Sequence, residues 1–267
     1  MDNRPIGVFD SGLGGLTVVR ELRFVLPEES VVYLGDTARV PYGPRSKPVV
    51  CRFARQDAYF LAGKNVKYIV VACNTASAQA YDDLREHIEL PVAGVIQPAA
   101  DAALAVSRSG RIGVIGTLGT IKSEAYQRAL AHGRPDSQVT AIACPLFVPL
   151  VEEGEIDTAA ARLIAERYLS SMVRANVDTL ILGCTHYPLL RNTIAAVLGP
   201  HVTLIDAGRE LARRLQQELD AAGLRCHGNH VPSQRFFVTD RSIQFREIAE
   251  RFLGYDIAGE IAQIELE

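Results

Sequence analysis

The chain has 267 residues, 48% hydrophobic and 22% charged, with a formal net charge of −3. That length accommodates one large or two medium domains, and the composition excludes wholesale disorder. No run reaches the roughly 18 apolar residues of a membrane span, and the slight acidity offers nucleic acid no basic field, so no direct nucleic-acid or membrane contact is expected.

Short β-branched runs alternate with amphipathic stretches, the pattern of βαβ units around mostly parallel sheets. In chain order, strands are expected at Ile6–Phe9, Val31–Leu34, Tyr68–Ala72 and Val92–Val95, then at Ile112–Ile115, Val139–Ala143, Leu180–Leu182 and Val202–Ile205. The clearest helices fall at Asp57–Lys64, Asp157–Ala175 and Arg209–Ala222. The near-continuous hydrophobicity of Ile69-Val70-Val71-Ala72 fits a strand covered on both faces. The two sets of strands read as copies. Ile6-Gly7-Val8 returns as Ile112-Gly113-Val114, and Cys73-Asn74-Thr75 is echoed by Cys184-Thr185-His186. An internal duplication is therefore expected, with one α/β lobe near 1–97 and another near 98–207. The stretch from Gly208 to Glu267 carries helix, strand and helix signals and packs on one of the lobes.

The first apolar segment is interrupted by Asp10, so no signal peptide is expected. Five cysteines, an odd number, argue for a reducing cytoplasm rather than a disulfide framework. In parallel sheets, ligands bind beyond the carboxyl ends of the strands. Here those loops are Asp10-Ser11-Gly12, Gly35-Asp36-Thr37, Cys73-Asn74-Thr75, Gly116-Thr117 and Cys184-Thr185-His186. Small polar side chains ahead of helix N-termini make an anion site, because free backbone N–H groups and the helix dipole attract negative charge. Cys73 and Cys184 hold equivalent places in the two copies, whereas Cys51, Cys144 and Cys226 do not. A thiol so placed is expected to have a lowered pKa and to serve as base or nucleophile.

Three chemistries compete for such a pair. A dithiol redox centre lacks the usual Cys-x-x-Cys spacing, a zinc site at Cys184-Thr185-His186 lacks a second Cys-x-x-Cys or His pair, and the separate tail cluster of Cys226-His227 with His230 lacks a fourth ligand. Proton transfer at a stereocentre uses both thiols: one removes a proton from one face, the other delivers a proton to the opposite face. It also accounts for the repeat. Asp10, His186 and Glu152 are the candidate partners of the thiols, although Asp10 could instead cap the following helix and Glu152 could form a solvated pair with Glu153. The run Gly12-Leu13-Gly14-Gly15-Leu16-Thr17 resembles a dinucleotide fingerprint with Asp36 downstream, but Thr17 stands where a small residue is needed. Only Lys122 lies close to a strand-end loop, and nothing marks it as a Schiff-base former for pyridoxal phosphate. No cofactor is expected.

Four ordered blocks carry a resemblance: Val8-Phe9-Asp10-Ser11-Gly12-Leu13-Gly14-Gly15, Gly35-Asp36-Thr37-Ala38-Arg39-Val40-Pro41-Tyr42-Gly43, Ala72-Cys73-Asn74-Thr75-Ala76 and Gly183-Cys184-Thr185-His186-Tyr187-Pro188. Together with Pro145 to Glu152 they closely resemble the glutamate racemases, from residue 6 to about 206. The resemblance implies cofactor-independent interconversion of L- and D-glutamate, supplying D-glutamate for peptidoglycan. It implies that Cys73 takes the α-proton of D-glutamate with Asp10 assisting, and that Cys184 takes that of L-glutamate with His186 and Glu152 assisting. Ser11, Tyr42, Gly43, Asn74, Thr75 and Thr185 match substrate-holding positions, and Thr117 and Thr120 are expected to reach the side-chain carboxylate. The implied fold is two similar α/β lobes related by a pseudo-twofold axis, with the site in their cleft and residues 208–267 returning to the first lobe. A homodimer is expected, and some members of the family are reported to contact DNA gyrase. Others carry an N-terminal extension linked to control by a cell-wall precursor; only Met1 to Pro5 precede the first strand here, so no such activation is expected. The same two-thiol site on aspartate or another small acid is the alternative.

Overall fold

The computed structural model describes residues 2–226, 231–241, 245–257 and 260–266. A first run contains β1 (Ile6–Asp10), α1 (Leu16–Val25), β2 (Val31–Gly35), α2 (Lys47–Ala62), β3 (Tyr68–Val71), α3 (Asn74–His87), β4 (Val92–Gly94) and α4 (Ile96–Val106). A second contains β5 (Arg111–Gly116), α5 (Leu118–Lys122), α6 (Ala125–Gly133), β6 (Gln138–Ala143), α7 (Phe147–Glu152), α8 (Ala159–Arg174), β7 (Thr179–Gly183), α9 (Arg191–Leu198) and β8 (Thr203–Asp206). The chain ends with α10 (Ala207–Ala221), β9 (Gln234–Val238), α11 (Phe245–Leu253) and β10 (Ile261–Gln263).

Two parallel sheets result, ordered β10-β9-β2-β1-β3-β4 and β6-β5-β7-β8. The first four strands of each run pair in the same order, so the repeat seen in the sequence is a repeat of topology. Each expected strand agrees with the observed one to within a residue. The helix expected at Asp57–Lys64 instead begins at Lys47, because Pro48 in its first turn and the buried Val50, Cys51 and Ala54 extend the apolar face toward the N-terminus. The C-terminal stretch also differs from expectation, ending in a strand rather than a helix. Three residues are too few to show a period of two, and β10 is recognisable only by its pairing with β9. Through β9, this stretch joins the first sheet beside β2.

The period of two in β1 separates two cores. Ile6 and Val8 face α1, α10 and α4 in a core that continues to Ile112 and Val114 of the second sheet. Phe9, with Val32, Ile69 and Val71, faces the other way, against Ala54 and Leu61 of α2 and Ala80 and Leu84 of α3. The first of these cores therefore runs continuously beneath both sheets.

Lys67, just before β3, is fully buried and pairs with Glu29 Oε2 at 2.6 Å. Its ammonium also donates to the carbonyls of Asp2 and Leu224. Replacement by methionine strands a buried carboxylate and two carbonyls, so Lys67→Met is expected to cost about 3–5 kcal/mol in urea unfolding. A loss under about 1 kcal/mol would mean that Glu29 finds another partner.

Candidate active site

Both expected thiols lie where a strand ends and a turn or helix begins. Cys73 follows β3 and caps α3, its sulfur accepting from Ala76 N at 3.5 Å, while its thiol points to Ser11 Oγ, also at 3.5 Å. Cys184 follows β7, the equivalent strand, with its sulfur 3.9 Å from His186 Nδ1. Both side chains are buried. Burial raises Cys73 to about 12, Asp10 and Cys184 push the same way, and the donors at Ser11 and Ala76 only partly oppose them. The lowered pKa expected for a thiol at a helix N-terminus is thus reversed at Cys73, because desolvation outweighs one long N–H···S contact.

Each thiol has a different polar neighbour. Asp10, at the end of β1, is 1% exposed. Its carboxylate accepts from Gly12 N at 3.0 Å and from Thr185 Oγ1 at 3.5 Å. The Gly15 N–H, at the N-cap of α1, also turns to this carboxylate, so Asp10 serves the helix start although it does not occupy the cap position itself. Desolvation raises its pKa against the opposing charge of His186. On the other side, Glu152 at the end of α7 contacts His186 Nε2 at 3.0 Å, so Glu152 is tied to the imidazole rather than paired with Glu153. Burial alone would lower His186, but its hydrogen bonds to Cys184 and Glu152 and their charges prevail and raise it to about 10.

The remaining expected residues surround these groups. Thr75, Thr117 and Thr120 form a triangle of hydroxyls at 2.8 to 3.3 Å, linking α3 of the first run to α5 of the second. Gly43 lies against Thr117: a Cβ there would sit 3.0 Å from Thr117 Cβ. Asn74 Oδ1 accepts from Tyr126 Oη at 2.6 Å. The Tyr42 phenol turns away, bonded to Asp36 and Asp57, so only its backbone remains to meet a ligand. Two hollows flank these residues. A groove of about 1110 Å³ beside Tyr81, Arg85, Arg128 and Arg214 contains none of these residues. A hollow of about 480 Å³ reaches Gly43 and Gly119 at the rim of the threonine triangle.

The glycine run after β1 is filled from the second sheet. A Cβ on Gly14 would stand 2.1 Å from Thr185 Oγ1 and 2.5 Å from His186 Nδ1, and Thr17 Oγ1 donates to Thr185 O at 2.9 Å. No pyrophosphate fits where those side chains are, which removes the dinucleotide reading of this run. His227 and His230 lie outside the described residues; among those described, no cluster of three His, Cys, Asp or Glu is disposed to hold a metal.

The sequence profile of the Asp/Glu/hydantoin racemase family matches residues 17–215. A glutamate racemase from Geobacter metallireducens is 47% identical over 264 residues, covering 99% of this chain and 97% of its own. The chain belongs to the glutamate racemase family. Among solved members, a glutamate racemase isoform from Bacillus anthracis superposes with a TM-score of 0.94 at 42% identity, covering all of both chains. The glutamate racemase from Francisella tularensis, in complex with D-glutamate, gives 0.91 at 41% identity over 98% of each chain.

Three contributors within this family fold escaped the sequence reading. Tyr126, on α6, fixes Asn74 from the second sheet's side, and only its lone polar atom on an apolar face hinted at a role. Arg251 donates to Glu152 O at 3.2 Å, and the Phe252 ring meets His186 edge-on at 5.1 Å between centroids. Both residues belong to α11, so the C-terminal stretch reaches the second thiol's partner, a contact that no local pattern announces.

The raised pKa of His186 has a stability consequence. Its ordinary value of 6.5 rises to about 10 in the fold, so its contribution is complete below pH 6.5 and is lost as pH climbs through 10. Chemical unfolding from pH 6.5 to 10 should therefore show stability falling by up to about 1.4 kcal/mol per pH unit, a slope that flattens in His186→Asn. An unchanged slope in the variant would place the titration elsewhere.

Proposed function

We propose that this chain racemises glutamate by a two-thiol mechanism, in which Cys73 and Cys184 exchange the roles of base and acid on opposite faces of Cα. The observation that carries the reading is the placement of the two sulfurs at the ends of equivalent strands, each beside a partner of its own. From L-glutamate, the Cys184 thiolate, stabilised by the His186 imidazolium, takes the α-proton. The electron pair left on Cα is delocalised into the α-carboxylate, and the Cys73 thiol protonates the other face. Cys184 ends as thiol and Cys73 as thiolate. From D-glutamate the transfers run in reverse, and the buried carboxylate of Asp10 receives or returns the Cys73 proton. Backbone N–H groups at the N-terminus of α3 and the hydroxyls of Thr75, Thr117 and Thr120 provide donors for the two carboxylates, while Ser11, Asn74 and Thr185 border the reacting carbon.

The reading extends to two domains, 1–97 with 208–267 and 98–207, to a cytoplasmic enzyme supplying D-glutamate for peptidoglycan, and to a homodimer testable by sedimentation. Contact with DNA gyrase is tested by pull-down with a doubly Cys→Ser variant. Among the described residues, no helix is long and apolar enough to cross a membrane.

The decisive experiment incubates purified, cofactor-free protein with L-glutamate in heavy water. Loss of the α-proton NMR signal together with the appearance of D-glutamate is expected. Absence of both events, or faster turnover of aspartate, would sink the glutamate assignment. His186→Asn should slow the reaction from L-glutamate more than that from D-glutamate under initial-rate conditions.

A further inference from the structure

A cluster of buried charge lies behind the turn from Val40 to Gly43, and the two-thiol mechanism makes no use of it. Asp36 and Asp57 are both 0% exposed and both contact the hydroxyl of Tyr42. Arg39 bridges them, Nε to Asp36 Oδ2 at 2.6 Å and Nη2 to Asp57 Oδ1 at 2.9 Å. Thr239, just beyond β9, donates to Asp36 Oδ1 at 3.0 Å.

The protons in this cluster can be counted. Asp36 accepts from Arg39 Nε on Oδ2 and from Thr239 Oγ1 on Oδ1, so both of its oxygens already face donors. Tyr42 has a single proton, and the shorter of its two carboxylate contacts, that to Asp36, is the one it serves. The contact between Tyr42 Oη and Asp57 Oδ2, at 2.9 Å, then brings two oxygens together with no hydrogen between them unless Asp57 supplies it. Two carboxylates also share a single guanidinium here, so ionising both would bury one net negative charge. Desolvation and the charge of Asp36 push Asp57 well above the ordinary carboxyl range, against the pull of Arg39.

Resting on the proposed glutamate racemisation, we infer that Asp57 is a neutral carboxylic acid and a positioning residue: it donates its proton to Tyr42 Oη and so fixes the turn that brings Gly43 against Thr117. The fit at that junction is close. A Cβ on Gly119 would lie 2.6 Å from Gly43 O, so a turn that sags also displaces the threonine triangle.

The test compares Asp57→Ala, Asp57→Asn and Asp36→Asn. Alanine removes the donor and should raise KM for glutamate about tenfold with a smaller change in kcat, because the turn positions substrate without entering the proton transfers. Asparagine can donate from Nδ2 to Tyr42 and accept from Arg39 on Oδ1, so it should restore KM to within about threefold of the parent. Asp36→Asn turns an amide toward donors and should not restore it. A KM as high in Asp57→Asn as in Asp57→Ala, or an unchanged KM in Asp57→Ala, overturns the inference. Infrared spectroscopy provides a readout that needs no activity: the carbonyl stretch of a protonated acid should be present in the parent and lost in Asp57→Asn. If the parent fails to racemise glutamate, that band still decides the protonation of Asp57, and its absence refutes it.

Discussion

Replacing either sulfur by oxygen should abolish racemisation while leaving the fold intact. Cys73→Ser and Cys184→Ser are each expected to lower kcat/KM at least about a thousandfold in both directions, within the range of general acid–base effects. The reason is chemical rather than steric, since a serine hydroxyl holds its proton far more tightly than a thiol. Serine at position 73 also retains the cap on α3 by accepting from Ala76 N, so thermal unfolding should stay within about 1 kcal/mol of the parent. Loss in both directions is required because every turnover uses one group as base and the other as acid. A variant that kept even a tenth of the parent rate would mean that a group other than the missing sulfur serves that face.

The second large effect is expected at Gly14, which touches no reacting atom. Alanine there places a methyl 2.1 Å from Thr185 Oγ1 and 2.5 Å from His186 Nδ1. The side chains that must yield are those beside Cys184. A displacement near 1 Å at a reacting group costs about a hundredfold, so Gly14→Ala should lower kcat/KM by that order. Gly12→Ala is the control, because its Cβ meets only the Val40 side chain, at 3.3 Å, and activity should remain within about threefold. Equal losses in the two variants would show general intolerance of the loop rather than pressure on Cys184 and its neighbours.

The sequence made the framework legible because parallel strands covered by helices announce themselves as short β-branched runs, and eight were readable that way, including the half-buried β6. The equivalence of Cys73 and Cys184 was legible for the same reason: each follows such a run. What stayed hidden depends on contacts across the fold. The start of α2 was missed because Lys47 and Pro48 look like loop residues until Val50 and Cys51 are seen to be buried. The direction of the Cys73 shift was misjudged because a sequence shows the helix terminus but not the water excluded around it. Tyr42 shows the same limit. The motif marks its position, but only the structure reveals that its hydroxyl serves Asp36 and Asp57.

One feature of the chain's order bears on when activity first arises. Both sulfurs are synthesised by residue 184, yet Thr239, which braces Asp36, and Phe252, which backs the His186 ring, follow only after a further helix and strand. Domains generally begin folding from the N-terminus while synthesis continues. A nascent polypeptide can therefore assemble the strands that bear both sulfurs and still lack the braces behind them until Thr239 and Phe252 have emerged and folded back.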